Sequence, residues 1–96
     1  MKFIINWSKD NSFPDGQTFL TADLDAHVNY IKQGFDSGNV IMAGPYASGE
    51  GGMTIYDCNE ENQVIDFIKN DPDVNTGIIK GSFKQWHVII GKNRFK

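Results

Sequence analysis

Apolar residues recur at every second position in short stretches of this chain and at three- and four-residue intervals in two longer ones, and their order restricts the fold more than anything else. Lys2 to Ser8 alternates Phe3, Ile5 and Trp7 on one face with Ile4 and Asn6 on the other, which predicts a strand with apolar groups on both sides. From Asp23 to Ser37, Leu24, Val28, Ile31 and Phe35 form a helical stripe, with Thr21 or Asp23 placed to cap its start and Gly38 to end it. Val40-Ile41-Met42 is too short for a helix and predicts a buried strand, closed by Gly44-Pro45. After the glycine-rich turn Tyr46 to Gly52, Met53 to Cys58 alternates again and returns antiparallel to its predecessor. Asn59 stands where a cap belongs for a second helix from Glu60 to Asn70, and Ile78 to Ile90 predicts a long last strand, bulged near Gly81.

Strand, helix, strand, strand, helix, strand is the split βαβ order. It predicts an α+β, ferredoxin-like domain: a four-stranded antiparallel sheet with both helices on one face and the first and third strands at the centre. A chain of 96 residues is expected to form one domain. Helices cover only one side of such a sheet, yet the first and last strands carry apolar residues on both. At about 25 cal/mol per Å² of apolar surface, the uncovered side favours a partner, and the expectation is a homodimer joined sheet to sheet.

Charge and cysteine content narrow the partners. A net charge of −3 argues against nucleic acid or an anionic membrane, and Lys92, Arg94 and Lys96 form the lone basic cluster, in keeping with a solvated tail. No apolar run is long enough to span a bilayer. One cysteine, Cys58, permits no intrachain disulfide, which suits the cytoplasm, and it is expected to be a packing residue.

Chemistry centres on Asn70-Asp71-Pro72-Asp73. On a helix advancing about 100° per residue, Val64, Ile68 and Asp71 lie within roughly 60° of one another, so Asp71 continues the apolar stripe. Pro72 disfavours helical geometry at the residue before it, and the helix should end at or just before Asp71. A buried carboxylate requires a partner. The alternative is that Asp71 and Asp73 are ordinary residues of a helix stop. His27, about 60° from Leu24 on the first helix, is the candidate partner, while Asp23 at i−4 offers that histidine a competing surface pair.

Other constellations carry less. His87 beside Trp86 suits packing or an interface. No metal-ligand spacing links the histidines and acids, so neither a metal nor another cofactor is assigned. The segment Ala43 to Gly52 lacks the Gly-Lys-Ser/Thr ending of a phosphate cradle. Within it Tyr46 and Ser48 are candidate hydrogen-bond donors to a substrate at a pocket mouth. Lys9 to Leu20, turned at Pro14-Asp15-Gly16, is either a lid or a surface excursion, with Phe13 and Phe19 as its apolar contacts and Phe13 a candidate substrate contact.

Taken together, His27-Val28-Asn29-Tyr30, Gly38, Ala43-Gly44-Pro45, Gly51-Gly52, Asp71-Pro72 and Gly77 resemble the successive landmarks of the YCII-related, YciI-like family. The resemblance implies a dimeric α+β barrel of ferredoxin-like subunits and an active site of a first-helix histidine with the aspartate of an Asp-Pro motif, here His27 and Asp71. It also implies a likeness to dehydrochlorinases of chlorinated hydroxyquinols. Many members carry a basic residue shortly before the histidine, whereas Asp23, Leu24 and Asp25 stand there in this chain. Three classes are open: a cofactor-independent enzyme using His27 and Asp71 for acid/base elimination, isomerisation or hydrolysis on a small molecule; a non-catalytic dimeric small-molecule-binding module; and a cofactor-free monooxygenase.

Overall fold

The computed structural model describes residues 1–92. The strands β1 (Lys2–Lys9), β2 (Val40–Pro45), β3 (Gly51–Asp57) and β4 (Ile79–Trp86) form one antiparallel sheet in the order β2-β3-β1-β4. The helices are α1 (Asp25–Asp36), α2 (Glu61–Lys69) and a single turn, α3 (Pro72–Asn75). The fold is the α+β, ferredoxin-like arrangement expected from the alternation of periods, with β1 and β3 central. Phe3, Ile5 and Trp7 are buried, and they pack in one core with Leu24, Val64, Phe67 and Ile68 from the helical layer. Cross-strand partners share a face, so Lys2, Ile4 and Asn6 lie on the opposite side with Asp57, Ile55, Met53 and Trp86. Met42, paired with Ile55, and Trp86 are 43% and 42% exposed there.

The last strand is shorter than expected. β4 ends at Trp86, which pairs with Lys2, the first residue of β1. Val88, Ile89 and Ile90 have β-forming side chains but lie outside the strand, with Ile89 and Ile90 exposed. No bulge occurs at Gly81, whose register against Trp7 is unbroken; the irregularity lies between Val40 and Met42. Gly81 serves another purpose: a Cβ there would stand 2.8 Å from Trp7 Cζ3 and 3.0 Å from Ile68 Cγ2.

Helix boundaries also differ in detail. α2 begins with a capping box in which Glu60, not Asn59, is the cap and Gln63 reaches back to it. α1 has Leu24 at its N-cap, a residue that makes no side-chain cap bond. Asp23 accepts the Asp25 N–H instead, 3.1 Å away. Gly38, at φ +91°, ends this helix as expected. The loop from Lys9 to Leu20 is pinned, with Asp10 and Ser12 N–H donating to the carbonyls of Ile78 and Gly77, Phe19 N–H to that of Gly49, and Phe13 stacked on Phe19. Lys92 is exposed, and Arg94 and Lys96 of the basic tail lie outside the described residues. No helix of the described residues is long and apolar enough to cross a membrane.

Candidate active site

Pro72 has no N–H to give, so it cannot extend α2 and instead occupies the first turn of α3. Asp71 becomes the N-cap of that turn. It is extended, at φ −66° and ψ 124°, and its Oδ1 accepts the Asp73 N–H at 2.9 Å. A capping aspartate usually leaves its second oxygen in water. Here the side chain is fully buried and Oδ2 lies 2.5 Å from His27 Nδ1. The burial cost of the carboxylate is offset by two strong partners, one on each oxygen.

Asp73 completes a clasp. Its Oδ2 accepts the main-chain N–H of His27 at 3.1 Å, supplying from outside the cap that α1 lacks. Asp71 thus holds the ring and Asp73 the backbone of one residue. Burial, with the nearby Asp71 charge, pushes the Asp73 carboxyl above its ordinary range, although the His27 N–H works the other way. Tyr30 closes the other side. Its hydroxyl donates to the Phe67 carbonyl at 2.7 Å, and burial together with Asp71 and Tyr56 pushes it up to about 12, so it stays neutral. Burial likewise raises Cys58, whose thiol points to the Glu60 carbonyl and has no part in this site.

Trp7 forms the floor. Its indole meets the His27 ring edge to face, centroids 4.8 Å apart at 73°, and its Nε1–H donates to Thr54 Oγ1 at 2.9 Å. Gly81 leaves room for this indole. His27 Nε2 makes no hydrogen bond within the described residues, and none of their buried side-chain nitrogens or oxygens lacks a partner, so Nε2 retains solvent contact. His27 lines a cavity of about 380 Å³ between α1, β2 and β3.

This cavity explains a misfit between sequence and packing. Leu24, Val28, Ile31 and Phe35 form the apolar stripe of α1, but the residues that α1 buries against the fold are His27 and Gly34. A Cβ on Gly34 would stand 2.8 Å from Val40 Cγ2, so glycine lets the helix approach β2 along that line. Leu24, itself buried in the core, lines the cavity together with Val28 and Ile31, and Phe35 is 61% exposed beyond it. Periodicity locates an apolar stripe; it does not say whether a core or a cavity faces it.

The structure brings together His27 and Asp71, 44 positions apart in sequence. Asp23 is not a partner of the ring. Tyr46, Ser48 and Phe13 do not line this cavity. Tyr46 hydroxyl donates to Asn6 Oδ1, Ser48 Oγ accepts the Glu50 N–H within its turn, and Phe13 acts one layer away by stacking on Phe19, which does line it. Asp73, Trp7 and Thr54 were not predictable as site residues: Trp7 reads as core by alternation, and Asp73 as part of a helix stop. Among the described residues no three His, Cys, Asp or Glu side chains gather so as to hold a metal ion.

The chain is thus a small α+β protein, a ferredoxin-like sheet with a buried His-Asp pair beside a largely apolar cavity. The chain belongs to the YCII-related domain family, which matches it over residues 3–86. Among solved structures it is similar to 5-chloro-2-hydroxyhydroquinone dehydrochlorinase (TftG) from Burkholderia phenoliruptrix AC1100, in complex with 2,5-dihydroxybenzoquinone. The two share 21% identity with a TM-score of 0.68, over 91% of this chain and 94% of that one. At that identity the likeness shows the fold. No curated protein matches the chain.

Proposed function

We propose that this protein is a cofactor-independent acid/base enzyme acting on a small molecule, with His27 as the proton-transferring group and Asp71 as its orienting carboxylate. The observation that carries the proposal is the 2.5 Å contact between His27 Nδ1 and a fully buried Asp71, on a ring whose other nitrogen remains accessible beside a cavity. By accepting the Nδ1 proton, Asp71 fixes the tautomer that presents the Nε2 lone pair. Nε2 takes a proton from the substrate, and Asp71 steadies the positive charge the ring acquires. The electron pair left on the substrate then forms a double bond as a leaving group departs from the adjacent carbon, and the ring returns its proton to that group or to water. An isomerisation differs only in where the proton is put back, and a hydrolysis in that the proton comes from water. That the same fold serves a protein named for dehydrochlorination, an elimination, supports the first of these.

We further propose that a second copy covers the open sheet face, which exposes Met42 and Trp86. The test of the chemistry is a panel of eliminations and isomerisations run with the wild type and with His27→Asn and Asp71→Asn variants shown to be folded. General acid/base groups contribute about 10²- to 10⁴-fold, so either change should lower turnover by at least about a hundredfold. Turnover that survives both substitutions refutes the assignment.

A further inference from the structure

The cavity at His27 carries information about what enters it. Its apolar side-chain walls are Trp7, Phe19, Leu24, Val28 and Ile31. Polar side chains on the lining are few and placed unevenly. Asp25 and Lys32 line it from exposed positions on α1 and stand at its rim in water. Thr54 is buried, with its oxygen already accepting the Trp7 Nε1–H, and retains its hydroxyl proton and one lone pair. The other buried polar side chain on the lining is His27, whose Nε2 makes no hydrogen bond within the described residues. Side-chain polarity inside is thus confined to one end, where Thr54 and His27 both adjoin Trp7, while the α1 stripe offers no hydrogen bond and the rest of the lining is main chain of β2 and β3 with Ala43 and Pro45.

Resting on the acid/base reading of His27, we infer that the substrate is a compact, largely hydrocarbon molecule carrying its one dissociable proton at one end. A single substituted ring, or a branched chain of that bulk, fits: about 380 Å³ is the room of roughly a dozen water molecules at about 30 Å³ each. The dissociable group, a phenol, an enol or a carbon acid beside a carbonyl, meets His27, and the hydrocarbon lies on Leu24, Val28 and Ile31. Sugars, polyols, nucleotides and phosphate esters fit poorly, since each would bring hydroxyls or charges against the apolar side chains of α1, which offer them no partner. The same reasoning explains why α1 spends its apolar stripe on a cavity. An apolar wall gains by expelling water only when apolar surface covers it.

Two near-isosteric probes test this on the unaltered protein: 4-isopropylphenol and 4-(1-hydroxyethyl)phenol, in which one methyl of the tail becomes a hydroxyl. Binding is followed through the Trp7 indole N–H and the His27 ring signals in ¹H–¹⁵N spectra. The expected result is saturable binding of the isopropyl compound that moves both signals, with affinity about tenfold to a hundredfold above that of its hydroxylated analogue. Equal or tighter binding of the hydroxylated compound overturns the substrate class, and while the His27 ring still responds it leaves the acid/base reading standing. Absence of any Trp7 or His27 response to either compound also overturns the class. Unchanged affinity for 4-isopropylphenol in a folded His27→Asn variant removes His27 from the binding site, and the acid/base reading and this inference fall together.

Discussion

The Asp-Pro-Asp clasp assigns separate tasks to two carboxylates that look alike in sequence. Asp71 touches the His27 ring; Asp73 touches only the backbone that carries it. Removing the Asp73 side chain should therefore cost what a helix cap costs, about 1 kcal/mol, whereas Asp73→Asn keeps an acceptor for the His27 N–H and should recover most of it. Chemical unfolding of Asp73→Ala and Asp73→Asn decides between them, and equal losses would show that the carboxylate's charge is what matters. Asp73 also gives a pH dependence of known sign. Its carboxyl is raised in the folded protein above its ordinary value of 3.8, so the folded state holds that proton more tightly than the unfolded chain does. Its contribution to stability is fully present below about pH 3.8 and is lost as pH rises through the folded value. The stability difference between wild type and Asp73→Asn, measured by urea unfolding from pH 3.5 upward, should move against the wild type across that window. A difference that grows in its favour would contradict the burial described for this group.

At the level of elements, the period-two alternation of β1 and β3 was legible because both strands are central and pack one face on the helices. The end of β4 was not, since Val88-Ile89-Ile90 looks like strand until one sees that Lys2 already pairs with Trp86. The stop of α2 before Asp71 follows from Pro72 alone, and an acid on an apolar stripe signals a partner elsewhere. Which partner depends on how α1 and α3 meet, something no local pattern contains. For the same reason the cap that Asp73 gives to α1 was invisible, as was the turn of α1 that sends Val28 into a cavity. Gly34 and Gly81 set these approaches by what they lack. Gly81→Val should press on Trp7 and Ile68 and destabilise the fold by about 1–3 kcal/mol, read as a lower urea midpoint at constant m-value. A neutral result would mean that the indole has room the geometry denies it.

On the scale of the whole molecule, one side of the sheet is closed by helices and the other presents Ile4, Met53, Met42 and Trp86 around Ile55. If a second copy lies on that side, sedimentation equilibrium should return twice the chain mass, and Ile4→Lys should shift it to the single-chain value while leaving the helical layer folded. A wild-type chain that sediments alone at micromolar concentration would refute that pairing.

The carboxylate that starts the short turn α3 is the same one that grips the imidazole, so winding of that turn and aiming of the ring are a single event. A chain whose α3 has come undone does not keep a weakened version of the pair; it has an imidazole free to rotate and an acid returned to water. The pair therefore exists only where the second half of the chain is packed back onto the first, and no isolated fragment containing only one of the two partners can possess it.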